Sequence, residues 1–264
     1  SYQNPTFISL PSLTGIVSGF DNTSITFTLS SQTQFESAGG IQPGESVVKK
    51  LNRGDVWLIS SGHSKGDLSG SNIISDKPVS VFSGNQCANI PLNNKTCDYI
   101  AEMELPLESW GNQYHAMSVH GRTYSPVVRI YSSADSTIVR RNGDSIARLH
   151  KSEFIETRVT IDSVPGVSVF EANNPIGISL YNTGEEAAGD ARPGSDPFQI
   201  SLIPARQYQK ELTFSIIDIG GNSKSSRNYM AIIYEADENG QPYEDLEIAR
   251  VFDGPLNWEN VRFK

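Results

Sequence analysis

The chain of 264 residues lacks the long apolar runs and the basic clusters that mark several large classes of protein. No window reaches about 18 consecutive apolar residues, so the sequence predicts no membrane-spanning helix. The 21 Lys and Arg against 30 Asp and Glu give a formal net charge of −9. A surface of this sign does not match the basic face that binds nucleic acid or anionic lipid. The opening Ser-Tyr-Gln-Asn resembles no signal peptide, and we expect a processed or trimmed start.

Cysteine is almost absent, with Cys87 and Cys97 as the only two. Their spacing does not form a Cys-x-x-Cys motif, and no second pair completes a zinc site. The pair favours one disulfide, with two reduced thiols as the alternative. Closing a loop of about ten residues contributes roughly 2–3 kcal/mol in the chain-entropy model. A disulfide would also indicate an oxidising, extracytoplasmic compartment.

Motifs for catalysis or metal binding are equally scarce. The four histidines are His63, His115, His120 and His150. His115 and His120 lie five positions apart in a predicted strand and loop, so they point to opposite faces. The stretch Ser61–Ser64 lacks the strand, turn and helix setting that exposes a nucleophilic serine. We therefore predict no catalytic residue, no metal site and no cofactor, and the chain is not expected to be an enzyme.

What the sequence does contain is a series of short segments in which apolar and polar residues alternate. Examples are residues 24–30, 56–59, 79–82, 127–131 and 229–234. Glycine, asparagine and aspartate separate these segments, as at Arg53-Gly54-Asp55 and Asn142-Gly143-Asp144. Such a pattern is typical of a β-sandwich or a β-barrel. No amphipathic segment exceeds about two helical turns, so we predict an all-β fold.

Two parts of the chain, residues 72–110 and 170–208, resemble each other. The aligned pairs are Pro78 with Pro175, Asp98 with Asp196, Pro106 with Pro204, and Trp110 with Tyr208. This internal repeat of about 98 residues predicts tandem antiparallel β-sandwich-like units. A repeated β scaffold is typical of a binding or structural protein, which lowers the expectation of a single catalytic centre.

The repeat divides the chain into four predicted segments. Residues 1–19 would be a linker, an edge strand or an oligomer contact. Residues 20–119 would form the first β unit with the disulfide loop, and residues 120–212 the second. Residues 213–264 would be a partial third unit or a cap.

One stretch resembles the N-terminal domain family of IgGFc-binding proteins. It begins with Ser75-Asp-Lys-Pro-Val-Ser-Val-Phe-Ser-Gly and Cys87-Ala, continues with Cys97-Asp and ends with Leu105-Pro and Trp110-Gly. The segment from Asp196 to Pro204 is similar to a later part of that family's pattern. The resemblance covers roughly residues 45–215. It implies an extracellular binding or adhesion module without catalytic residues, and it supports a disulfide between the two cysteines.

Two loops are the predicted binding elements, because binding residues are concentrated in loops on rigid scaffolds. One is the disulfide-pinned loop 85–97, whose pinning would lower the entropy cost of binding. The other is its counterpart in the second unit, residues 182–196. The predicted ligand-binding residues are Asn85, Gln86, Asn89, Asn93, Asn94, Glu185, Asp190 and Arg192.

The expected partner is a glycan or a glycoprotein on a target cell surface. The chain would then be part of an extracellular or cell-surface protein, and its N-terminal segment could join copies into a homo-oligomer such as a trimer. Two alternatives stay open, a structural spacer in a surface fibre and a β-sandwich glycan hydrolase. The hydrolase would use the carboxylate run Asp98, Glu102, Glu104 and Glu108, although a solvated strand face or a calcium-binding surface also fits this run.

Overall fold

The computed structural model describes residues 10–90, 97–118, 125–159, 166–184, 196–213 and four short pieces at 232–234, 236–239, 247–248 and 259–260. The fold is all-β, as predicted. Contacts divide the chain into two compact units, Ser1–Ser215 and Ile216–Lys264. In the smaller unit the described strands are β15 (Glu247–Ile248) and β16 (Glu259–Asn260), which pair antiparallel.

The larger unit begins with a β-sandwich that we call the first sandwich. Its strands are β1 (Ser12–Ser18), β2 (Thr23–Thr28), β3 (Ser46–Leu51), β4 (Val56–Ser60), β5 (Asn72–Ser75), β6 (Val79–Ala88) and β7 (Asp98–Met103). One sheet has the strand order β4-β1-β6-β7 and the other has the order β3-β2-β5. Alternate residues of each strand point inward, so that Ile16 and Ile59 of one sheet pack against Ile25 and Phe27 of the other.

A second sandwich follows in the same unit. Its strands are β8 (Gly111–Met117), β9 (Val127–Ser132), β10 (Thr137–Arg141), β11 (Asp144–Leu149), β12 (Phe154–Arg158), β13 (Val167–Tyr181) and β14 (Gln199–Ser201). The long strand β13 serves both layers, because its register shifts between Glu171 and Ile176. Before the shift it pairs with β8 and β10, and after the shift with β9 and β14.

The same strand pairings occur in both sandwiches. Strand β1 pairs with β4 and β6 in the first sandwich, as β9 pairs with β12 and β13 in the second. Strand β2 pairs with β3 and β5, as β10 pairs with β11 and β13. Strand β6 pairs with β7, as β13 pairs with β14. A single-turn 3₁₀ helix follows the last strand of each set, Leu107–Ser109 and Ala205–Gln207. Strand β8 has no counterpart among the described strands of the first sandwich.

The constant offset of 98 residues is not confirmed. Strands β4 and β12 start 98 positions apart, but the first turns of the two sandwiches are 114 positions apart. In the first turn Ser18 Oγ lies 2.7 Å from Thr23 Oγ1, and Ser132 Oγ lies 2.7 Å from Thr137 Oγ1 in the other. Both turns contain a residue with positive φ, at Asn22 and Ser136. These two turns are therefore equivalent, and the 98-residue alignment does not match them.

Residues 12–18 differ from the linker, edge strand or oligomer contact predicted for residues 1–19. They form β1, which lies inside the four-stranded sheet between β4 and β6. Thr14, Ile16 and Ser18 are buried on the inner side of this strand, so β1 is an internal strand of the fold. The predicted boundary after residue 119 lies outside the described residues, and the division into segments otherwise stays a prediction.

Strand β8 is fixed to β13 by a buried tyrosine. The Tyr114 hydroxyl donates a hydrogen bond of 2.6 Å to the Ile176 carbonyl and accepts one of 3.1 Å from the Gly111 amide. All three groups are buried, and the Tyr114 ring belongs to the core of the second sandwich. The hydroxyl thus joins the Ile176 end of the register shift in β13 to Gly111 at the start of β8.

We expect Tyr114→Phe to destabilise the chain by about 1–3 kcal/mol, because the buried Ile176 carbonyl loses its hydrogen bond. Urea denaturation followed by tryptophan fluorescence measures the change. Tyr99→Phe is the matched control, since Tyr99 is exposed and its change should stay within about 0.5 kcal/mol. Equal stability of the two variants would contradict the role given to the Tyr114 hydroxyl.

Candidate interaction surface

The predicted disulfide is present. Cys87, near the end of β6, is bonded to Cys97, just before β7, with 5.0 Å between the two Cα atoms. The bond closes the loop between two neighbouring antiparallel strands. It therefore joins the end of β6 to the start of β7 at one end of the four-stranded sheet.

The predicted ligand-binding residues fall into two groups. Asn93, Asn94, Glu185, Asp190 and Arg192 lie outside the described residues. The described ones are Asn85, Gln86 and Asn89, and among these Asn85 and Asn89 are buried while Gln86 is exposed.

The two buried asparagines have structural surroundings. The Asn85 side chain donates 3.0 Å to the Leu10 carbonyl and accepts 2.8 Å from the Cys87 amide. Asn89 is enclosed where the base of the loop meets the second sandwich. There Ala88 and Ile90 pack with Tyr181 in a small apolar cluster. Of the three, only Gln86 is placed to meet a ligand directly.

The outward face of the four-stranded sheet is apolar and exposed. The register places Leu58, Gly15, Phe82 and Met103 side by side across all four strands. Val56 and Tyr99 lie on the same face by the two-residue period of their strands. Among the large side chains Phe82 is the least exposed, at 45%, and Tyr99 the most, at 68%. We call this surface the outer face.

The outer face reaches the disulfide. Tyr99 follows Cys97 by two residues, and Gln86 precedes Cys87. Both side chains are exposed, and the ladder between β6 and β7 has an irregularity between Asn85 and Ala88. The disulfide thus joins the two strands at the end of the outer face that carries Gln86 and Tyr99.

The corresponding face of the second sandwich is covered. Its centre is Arg129, which is buried and donates to Asp67 at 2.9 Å and to Glu156 at 3.0 Å. Its guanidinium also donates 2.9 Å to the Ser69 hydroxyl. The Phe154 and Tyr181 rings lie 5.4 and 5.5 Å from it, within cation–π distance. Asp67 and Ser69 belong to the first sandwich, so this cluster joins the two sandwiches.

The charges of this cluster are set by burial and by pairing. Burial alone would raise the pKa of Asp67, but the Arg129 guanidinium lowers it, and the net shift is well below the ordinary value. Burial also disfavours the charged guanidinium, yet Asp67 and other neighbours raise the pKa of Arg129 above its usual range. Both groups are therefore ionised at neutral pH, as a buried pair needs to be.

A tryptophan packs closely on the same face of the second sandwich. Trp110 packs over Gly177, where any Cβ atom would overlap the indole ring. Arg206 fixes the segment before this tryptophan by donating 2.8 Å to the Glu108 carbonyl and 2.6 Å to the Trp110 carbonyl. The glycine at 177 is therefore required for the close packing of Trp110 on β13.

The predicted carboxylate run is not one uniform solvated face. Glu108 is exposed, but Glu104 is half-buried and accepts a hydrogen bond from the Ser83 hydroxyl. Burial raises the pKa of Glu104, and neighbouring Glu102 adds to the effect. Burial and Asp196 likewise raise the pKa of Asp98. Within the described ranges, no three His, Cys, Asp or Glu side chains are grouped to hold a metal ion.

Two features of the candidate surface could not be read from the sequence pattern alone. The first is the outer face. Its visible sign in the sequence is the apolar pair Val56 and Leu58, together with Phe82 and Met103, because strand alternation points all four side chains to the outer side of the sheet. The second is the Arg129 cluster, which joins residues 62 positions apart. Arginine between apolar residues in Val127–Ile130 was its one visible signal.

Replacing both cysteines by serine should lower the free energy of unfolding by about 2–3 kcal/mol, because the unfolded chain gains the entropy of an open loop. Urea denaturation of Cys87→Ser/Cys97→Ser beside the wild type checks this. Replacing both at once avoids an unpaired thiol. A doubly substituted chain as stable as the wild type would show that the bond does not constrain the fold.

Stability should fall in acid because of Asp67. The folded state lowers its pKa, so its pairing stabilises fully above the unfolded value of about 3.9 and is lost as the pH falls below it. Asp67→Asn should therefore be less stable than the wild type at neutral pH, with a smaller difference in acid. Guanidinium denaturation at several pH values measures this, with exposed Asp144→Asn as the control. A difference that does not depend on pH would contradict the assignment.

Comparison with known proteins agrees with the resemblance noted in the sequence. No helix in the described parts of the chain is long and apolar enough to cross a membrane. No solved structure matches the chain. The IgGFc-binding protein of Homo sapiens is 26% identical over 172 residues, which are 64% of this chain and 3% of that protein. This chain thus spans a small part of the length of that relative. The family described as IgGFc binding protein matches residues 2–262, nearly the whole chain, and the chain therefore belongs to this family.

Proposed function

We propose that this chain is an extracellular, non-enzymatic recognition module and that its outer face binds the polypeptide surface of a glycoprotein. The observation that carries the proposal is the row of exposed apolar side chains across all four strands of one sheet. A large exposed apolar surface on a folded protein is typical of an interaction site. Phe, Tyr and Met, which this face presents, are enriched in the buried centres of protein interfaces.

The contrast between the two sandwiches supports this function. The equivalent of Gly15 is Arg129, and the equivalent of Leu58 is Glu156, because their strands pair in the same register. In the second sandwich these positions lie under Asp67 and Ser69 of the first. In the first sandwich the face stays open and carries apolar side chains instead. A partner that covers such a surface removes apolar side chains from water, and this lowers the free energy of the complex.

The chemistry of the outer face favours polypeptide over sugar. A sugar presents hydroxyl groups that need hydrogen-bond partners, and Leu58, Phe82 and Met103 in the middle of the face offer none. Gln86 and Tyr99 at the disulfide end are the groups able to meet a glycan at the edge of a protein contact. A glycoprotein therefore fits the whole surface better than a free glycan.

Family membership and the disulfide support the setting. The human relative is named for binding the Fc part of immunoglobulin G, so an Fc fragment is the first probe to use. A disulfide between strands is typical of proteins that fold outside the cytoplasm. We place the module in a secreted or cell-surface protein, where it would serve recognition or adhesion.

The test is a biosensor assay of the chain against an Fc fragment and a panel of secreted glycoproteins, each with and without its glycans. Leu58→Ser/Phe82→Ser should weaken binding at least about tenfold, equal to about 1.4 kcal/mol. Val48→Ser is the matched control, because Val48 is also exposed but lies on the other sheet. The control should bind like the wild type.

Other outcomes would lead to the alternatives. Binding that disappears on deglycosylation but survives Leu58→Ser/Phe82→Ser would indicate glycan recognition through another surface. No binding to any glycoprotein would favour a structural spacer. Turnover of a glycan that Glu102→Gln or Glu104→Gln abolishes would support the hydrolase.

A further inference from the structure

The first sandwich has an open sheet edge at β5. This strand pairs with β2 on one side, and no described strand lies on its other side. The Asp76 amide donates to the Ser24 carbonyl. Hydrogen-bonding residues alternate along an antiparallel pair, so the main-chain groups of Ile73 and Ser75 point away from β2. An edge of this kind is a template for another strand.

A groove runs along this edge. It is a cavity of about 880 Å³ whose apolar lining includes Phe27, Ile73, Val79, Val81 and Leu105. Ile73, Val79 and Val81 are partly buried against the core of the first sandwich. The lining also contains the charged side chains of Asp67, Glu104 and Arg129, so the groove is apolar only where Ile73, Val79 and Val81 lie. This apolar part lies beside main-chain groups of β5 that no described strand pairs with. An incoming strand with one large apolar side chain would satisfy both.

In the second sandwich, a further strand pairs with the edge that corresponds to β5. The equivalent of Ile73 in this sandwich is Phe170, since β10 pairs with β13 in the register in which β2 pairs with β5. Phe170 pairs on its other side with Tyr114 of β8, and Tyr114 is almost completely buried, with 1% of its surface exposed. Strand β8 therefore supplies the fourth strand of this sheet and one core side chain. The first sandwich lacks both within the described residues.

Residues 209–213 follow a 3₁₀ turn in the same way as strand β8 does. Strand β8 follows the turn Leu107–Ser109, and residues 209–213 follow the turn Ala205–Gln207. Leu212 comes 98 positions after Tyr114, as the second turn comes 98 positions after the first. Residues 209–213 form no strand, and Leu212 is 72% exposed. An exposed leucine therefore stands at the position where β8 has its core tyrosine.

We propose that residues 209–213 of one copy of this chain add as a strand to the open edge of β5 in a second copy. Leu212 then enters the groove opposite Ile73, as Tyr114 lies opposite Phe170 within the second sandwich. Donor and acceptor are different surfaces of the same molecule, so the contact is head-to-tail and can continue into a chain of copies. Main-chain pairing gives this mode its affinity, and the pocket for Leu212 gives it specificity.

This contact goes beyond the proposed recognition of a glycoprotein. The groove lies on the inner side of the four-stranded sheet, whereas the outer face lies on its other side. Ligand binding and self-association can therefore be tested independently with different variants.

Sedimentation velocity of the whole chain over a range of concentrations is the first test. The wild type should associate as its concentration rises, and Leu212→Asp should stay monomeric because a carboxylate would be buried against Ile73, Val79 and Val81. Residues 209–213 form no strand, so this variant keeps the fold. Val48→Asp, an equally drastic change of an exposed side chain on the far edge strand of the same sheet, should associate like the wild type.

Amide hydrogen exchange locates the contact. A synthetic peptide of residues 208–215 should slow exchange of the Ile73 amide by about tenfold or more at saturation, and the same peptide with Leu212→Asp should not. A wild type that is monomeric at all concentrations would overturn the proposal. So would a Leu212→Asp chain that associates like the wild type, or a peptide that leaves the Ile73 amide unprotected.

Discussion

The buried guanidinium of Arg129 is the constraint that orders the two sandwiches. A charge that is removed from water needs partners in good geometry, and removing one partner costs far more than a surface pair is worth. Here one carboxylate comes from each sandwich, Asp67 from the first and Glu156 from the second. The two sandwiches therefore have a fixed contact, and one face of the second sheet is permanently covered. The apolar cluster of Ile90, Ile100 and Tyr181 beside it adds area to the contact without adding a comparable directional requirement.

Two copies of one strand-pairing scheme consequently have different surfaces. In the second sandwich, Arg129 suits an ion pair with Asp67 of the first, and Gly177 suits a close contact with the Trp110 indole. The first sandwich has Gly15 and Ser80 at the equivalent positions and an apolar row around them. The first sandwich also has two strands, β5 and β6, where the second sandwich has the single long strand β13. The two surfaces differ because Asp67 and Ser69 cover this face in the second sandwich, whereas the same face of the first sandwich is exposed.

Sequence alone could predict those features that depend on local pattern. Alternation along β2, β6 and β9 gave the all-β fold, and the isolated pair Cys87 and Cys97 gave the disulfide. The turn signal Ser-x-x-Asp-x-Thr, present at 18–23 and again at 132–137, was overlooked because the alignment used a single offset. The burial of Asn89 could not be predicted, since its neighbours Ala88 and Ile90 pack against Tyr181 of the second sandwich. Asn85 is buried by contacts within the first sandwich, to the Leu10 carbonyl and the Cys87 amide. The pairing of Arg129 with Asp67 was equally hidden, because alternation places a residue on a face and does not show which distant segment covers that face.

In the part of the chain that the structure describes, two surfaces of the first sandwich have no partner, and they require different ones. The outer face presents side chains and its strands are already hydrogen-bonded, so a partner there gains mainly by excluding water from Leu58, Phe82 and Met103. The edge of β5 presents main-chain groups as well, so only an extended segment can satisfy it. A folded glycoprotein suits the first surface and cannot easily enter the second. A short strand such as residues 209–213 suits the second and is too narrow to cover four strands of the first. The two surfaces can therefore be occupied at the same time, which would allow copies joined through β5 to present their outer faces together and bind one target with several equivalent sites.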